Sequence, residues 1–135
     1  MAQRKEPKAR GVKTQRKTRK TPVRAVEAEE FRLVDRAGRV RAVLGLTRAG
    51  PRVALMREDG APALELTLTG DGPSIRLSDE VGTARVFVGA IRGSARIGMA
   101  DAKGAQRAFM GVNAAGKPTM TLYDGQQRRV WTAAR

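Results

Sequence analysis

The chain has 135 residues, a formal net charge of +14 and a sequence pI near 11.5, and that length leaves room for one small domain. It contains no cysteine and no histidine, which excludes disulfide frameworks, thiol nucleophiles, zinc sites of the usual Cys/His kind and imidazole acid–base chemistry. No apolar run reaches the roughly 18 to 20 residues that cross a bilayer, and the N-terminus lacks the apolar segment of a secretory signal, so the expected location is cytoplasmic.

The first element is a tail. From Met1 to Arg24 the chain carries ten Lys/Arg against the single acid Glu6, with Pro7 and Pro22 and almost no large apolar side chain. Such a segment buries too little surface to offset about 1–2 kcal/mol of ordering entropy per residue, so it is predicted to be disordered alone. Glu27, Glu29 and Glu30 then reverse the sign, which sets two regions: residues 1–30 as basic tail and acidic junction, and 31–135 as the folded domain. Pro22 and the eight residues after it are short for a helix.

Three readings of the tail follow from its charge: a nucleic-acid arm, an arm for an acidic protein or anionic surface, and a solubilising extension. The nucleic-acid arm needs the fewest additions. Its candidate residues are Lys13, Arg16, Lys17, Arg19 and Lys20, acting as phosphate contacts rather than base readers. No apolar face accompanies them, which weighs against membrane insertion. The Arg, Ala and Gly bias of the remaining chain also follows from a GC-rich genome without any selection for binding.

The folded region is a repeat. The segments FRLVDRAGRVRAVLGL, RVALMREDGAPALELTL, SIRLSDEVGTARVFVGA, ARIGMADAKGAQRAFMGV and TMTLYDGQQRRVWTA align on one skeleton, and Gly38, Gly60, Gly82 and Gly104 recur in it at one constant interval. The Asp column is Asp35, Asp79, Asp101 and Asp124, with Arg57 as the exception. The Arg column is Arg41, Arg85 and Arg107, with Ala63 in the second unit.

Apolar residues alternate on either side of each Asp-x-x-Gly, the period-2 mark of strands. Asp caps backbone amides two residues on, and Gly accepts the positive φ that closes a hairpin. Asp35, Gly38, Gly60, Asp79, Gly82, Asp101, Gly104 and Asp124 are therefore predicted to be structural turn residues. A second connection joins successive hairpins through Arg48–Pro51, Thr69–Pro73, Arg92–Ser94 and Asn113–Pro118. In the last unit Gly125-Gln126-Gln127 replaces the regular turn.

The predicted fold is all-β: an antiparallel hairpin-repeat meander of about five 22-residue units, closing as a barrel-like roll or stacking as a β-solenoid. One face is apolar throughout, from Phe31 and Leu33 to Met120, Leu122 and a capping Trp131, and is expected to be hidden. The other mixes the Arg column with Val34, Val43, Met56, Phe87, Phe109 and Tyr123, and is the expected surface for a second copy. The Arg and Asp columns are expected to pair with each other more than with a ligand.

The unit L-x-D-x-x-G-x-x-R-x-x-x-G, seen in LVDRAGRVRAVLG, LSDEVGTARVFVG and MADAKGAQRAFMG, resembles a largely uncharacterised group of bacterial proteins with L-Y-D-x-x-G-K-x-R-A-x-L-G repeats. That resemblance covers residues 31–135. LYDGQQRRV is similar, locally, to the YD repeats of Rhs-type shells. Neither resemblance implies catalysis by the repeat.

Other chemistries fit poorly. Asp101-Ala102-Lys103-Gly104 lacks the alternating oxygen ligands and closing Glu of an EF-hand, and GVNAAGKPT has Pro118 where a phosphate loop needs Ser or Thr. Asp79 with Glu80 or Asp35 would supply paired carboxylates, but nothing places them in a cleft. The expected function is a non-enzymatic β-repeat protein with no cofactor and no metal, binding nucleic acid non-specifically through its tail. The alternative is an oligomerising interaction scaffold whose tail docks to an acidic protein or anionic surface.

Overall fold

A computed structural model describes residues 25–134. They form ten strands: β1 Glu30–Val34, β2 Val40–Thr47, β3 Gly50–Met56, β4 Pro62–Thr69, β5 Gly72–Ser78, β6 Ala84–Ile91, β7 Ser94–Ala100, β8 Gln106–Val112, β9 Pro118–Tyr123 and β10 Arg129–Ala134. The order in the sheet is the order in the chain, and every neighbouring pair is antiparallel. There is no helix among the described residues, and β1 starts at Glu30, one residue before the apolar alternation.

Asp-x-x-Gly turns line one edge of this meander, and two-residue loops line the other except between β8 and β9, where Asn113 and Gly116 repeat the first kind. At the Asp-x-x-Gly edge the chain makes a type I turn and a left-handed residue, with the strand register slipping by one beside each turn. The glycines of the repeat column, Gly38, Gly60, Gly82 and Gly104, have φ of 78°, 81°, 92° and 78°. On the other edge Arg92 and Gly93 form a two-residue loop with φ of 50° and 76°. The connection from β8 to β9 is longer, Asn113 to Lys117, which is why Asp124 follows Asp101 at one position more than the repeat interval.

The terminal turn corrects one expectation. The backbone bonds of the regular turn are kept, with Gln127 N donating to Asp124 O at 3.1 Å and Asp124 N to Arg128 O at 3.0 Å. Gln127, at φ 64°, takes the left-handed position that glycine holds elsewhere, and Gly125 sits inside the turn. The unit is one residue out of phase, not irregular.

Cross-strand pairing sorts the side chains into rows. One row runs Phe31, Leu44, Val53, Leu66, Ile75, Val88, Ile97, Met110, Met120, Ala133, and beside it runs Leu33, Ala42, Leu55, Leu64, Leu77, Val86, Met99, Ala108, Leu122, Trp131. A shorter third row adds Leu46 with Pro51, Leu68 with Pro73, and Ala90, Ala95, Val112 and Pro118. No charged residue interrupts any of them.

The meander stays open, and among the described residues β1 and β10 are its unpaired edges. It does not close as a barrel-like roll, so the described residues leave the apolar face uncovered: Leu44 is 50% exposed and Leu46 69%. Trp131 is 47% exposed and extends its row rather than capping a core. The buried apolar residues, Val43 and Ala54, lie on the opposite face, where they pair with each other. A single twisted layer has no second layer to bury its apolar side, whereas long arginines can fold down over the other side.

Candidate functional site

The turn aspartates share one geometry along one edge of the sheet. Asp35 Oδ1 accepts from the amides of Ala37 at 2.9 Å and Arg39 at 3.0 Å, while Oδ2 accepts from Arg39 Nε at 2.8 Å. Asp79 Oδ1 accepts from Val81 and Thr83, Asp101 Oδ1 from Lys103 and Ala105, and Asp124 Oδ1 from Gln126 and Arg128. Their second oxygens face Arg85, Arg107 and Arg128. Each carboxylate is thus engaged on both oxygens, one by the amides of the turn it closes and the other by an arginine at the end of that turn or in the strand that follows.

The Arg column joins one unit to the next. Arg85 Nη1 lies 3.3 Å from its own Asp79 while its Nε donates to Ala100 O at 2.8 Å, at the end of β7 beside the following turn. Arg107 repeats this, holding Asp101 and donating to Asp124 O. Arg41 lies 3.9 Å from both Asp35 and Glu58. The second unit, where the columns are degenerate, reaches the same result by other residues. Asp59 caps Ala61 N at 2.9 Å, and Arg57, in the Asp column, donates to Asp79 O at 2.8 Å and lies against Gly82. Arg57→Ala is expected to cost about 1–2 kcal/mol, because it frees a part-buried carbonyl and empties the space beside Gly82. Urea unfolding midpoints of the two proteins measure it.

These contacts set the charge states. Arg39 holds the Asp35 carboxyl below the usual carboxylate range, first through its side chain and then its amide; Arg92 lowers Asp71 through its side-chain hydrogen bond and its charge. For Asp124 the Arg128 amide leads, and for Asp59 the Ala61 amide. Partial burial pushes Asp79 and Asp101 up, but their turn amides and arginine partners together outweigh it, so both are also lowered. A carboxyl lowered in the folded state contributes stability above its unfolded pKa and loses it as pH falls through the folded value. Thermal stability is therefore expected to be flat near neutrality and to fall progressively below about pH 4, as a series of melting curves checks.

The opposite face is furnished from within. Its middle row runs Arg32, Val43, Ala54, Glu65, Arg76, Phe87, Gly98, Phe109, Thr121, Thr132. Phe87 and Phe109 lie across Gly89 and Gly111, close enough that a Cβ there would meet the rings at 2.7 and 3.0 Å. The Arg96 guanidinium stands 5.2 Å over the Phe87 ring. Glu65, which the repeat columns do not pick out, sits 3.5 Å from both Arg52 and Arg76. Phe87 and Phe109 of this face are thus packed by glycine and arginine neighbours in the same chain, Val34 stays 54% exposed at its edge, and most of the exposed large apolar side chains lie on the apolar face.

Ten of the sixteen Lys/Arg in residues 25–134 are ion-paired: Arg32, Arg39, Arg41, Arg52, Arg57, Arg76, Arg85, Arg92, Arg107 and Arg128. The same stretch holds twelve acids, whereas residues 1–24 hold ten Lys/Arg and one acid, so nine of the fourteen net charges belong to the tail. Lys13, Arg16, Lys17, Arg19 and Lys20 lie outside the described residues. No family model and no curated protein matches this chain.

Proposed function

We propose that this chain is a non-enzymatic β-repeat scaffold of the cytoplasm that binds nucleic acid, without sequence preference, through its basic N-terminal tail. The observation that carries this reading is the partition of charge. The sheet neutralises most of its own arginines, while the tail keeps nine net positive charges between Met1 and Arg24. Ion pairing of tail Lys/Arg with phosphates, releasing condensed counterions, supplies affinity that falls steeply with salt.

Binding of DNA and of RNA by the full chain and by a shortened chain starting at Glu27, across a salt series, tests it. The full chain is expected to bind both with a steep salt dependence and the shortened chain to lose most of that affinity. Equal affinity of the two would overturn the tail reading.

The uniform apolar face favours a second reading, an oligomerising interaction scaffold whose tail docks to an acidic protein or anionic surface, because a nucleic-acid arm needs no such face. An oligomer without nucleic-acid affinity selects it.

A further inference from the structure

Among the described residues nothing covers the apolar face. Ten strands spaced about 4.8 Å apart, each contributing five or six residues at about 3.3 Å, give a face of roughly 800–900 Å². That exceeds the roughly 300–600 Å² of the largest apolar patch on a typical monomer and matches the roughly 800 Å² per partner of a stable protein interface. Its three rows carry no charged side chain and, Trp131 apart, no side-chain hydrogen-bond donor. Nucleic acid or an acidic protein would find nothing there to pair with. Another apolar sheet of the same dimensions would.

The relief of the face indicates how two sheets fit. Leu46 and Leu68 stand out at one edge, 69% and 48% exposed. At the same repeat position in the later units stand Ala90 and Val112, and there the face sinks into a hollow of about 670 Å³ lined by Ala95, Ile97, Met110, Val112, Met120 and Ala133. Protrusions lie over β2–β4 and the hollow over β7–β10. A two-fold axis along the strands, between β5 and β6, lays β2 of one copy over β9 of the other and β4 over β7. It keeps each row opposite itself.

We propose that two copies of this chain pack face to face about that axis, as an aligned β-sandwich. Leu46 and Leu68 of each copy enter the hollow of the other. Leu68 meets Ala95 of the partner subunit, and Leu44 meets Met120 of the partner subunit. The pairing does not rest on what the tail binds. It places two tails on one particle, so that the second engages at the effective concentration set by the first.

Sedimentation equilibrium of the full, nuclease-treated chain in high salt tests the stoichiometry, and twice the 14.6 kDa chain mass is expected at micromolar concentration. Leu68→Glu and Ile97→Glu are each expected to weaken dimerisation at least a hundredfold. Because the chain has no cysteine, Leu44→Cys and Met120→Cys proteins report the geometry even if the charged variants fail to fold. Mixed, they are expected to give a disulfide-linked heterodimer, and neither alone a linked homodimer. A monomer at 100 μM overturns the proposal, as does a higher oligomer, a dimer indifferent to both folded Glu variants, or Leu44→Cys linking to itself. A monomer that floats with phosphatidylcholine vesicles overturns it in favour of a lipid surface.

Discussion

Gly72→Ala is expected to be, with Gly50→Ala, among the most damaging small substitutions in the sheet. Gly72 opens β5 at φ +128°, and a Cβ there would lie 2.1 Å from Ala90 O and 3.4 Å from Ile91 Cα. Ala90 and Ile91 are β6 residues paired to β7, so neither the carbonyl nor the Cα can move without disturbing the next hairpin. Backbone strain at a positive φ and overpacking against a fixed strand together cost about 3 kcal/mol or more. For a domain of this size that lowers the melting temperature by at least about 12 °C. Gly116→Ala separates the two effects. Gly116 has φ +77° but open space around it, so it bears only the cost of the left-handed conformation, about 1 kcal/mol. Equal losses in the two variants, by thermal unfolding, would show that the close approach to Ala90 is not what demands glycine.

The second large effect is expected in the tail. Replacing Lys13, Arg16, Lys17, Arg19 and Lys20 together by glutamine removes five of its ten basic side chains. Each phosphate contact contributes about 0.9 to the slope of log affinity against log salt on duplex DNA. The slope is therefore expected to become shallower by about four to five, and changing the DNA sequence is expected to alter neither protein's affinity appreciably. Fluorescence anisotropy with duplexes of unrelated sequence reads both quantities. An unchanged slope would move the binding surface to the arginines of the sheet.

Much of the fold was legible because its signals are local. Asp35, Asp79, Asp101 and Asp124 cap turns by contacts within four residues, so the same spacing produces the same turn wherever it recurs. Gly50 and Gly72 are also one repeat interval apart, but their requirement for glycine comes from Leu68 O and Ala90 O of the next hairpin and has no signature in the turn itself. Arg57 looked like a defect in the Asp column. It becomes a link between units only once Asp79 O of the following turn is beside it. Gln127 was harder still, since Gly125 nearby suggested a different turn.

The sequence by itself determined the strands, their hairpin order and which residues share a face, because a two-residue period and a tight turn leave the chain no other register. Tertiary structure alone decided that the sheet stays open, that the column arginines are spent on neighbouring turns and that the described residues leave the apolar face uncovered. Alternation tells which side of a strand avoids water. It does not tell whether the same chain has a second layer to put there.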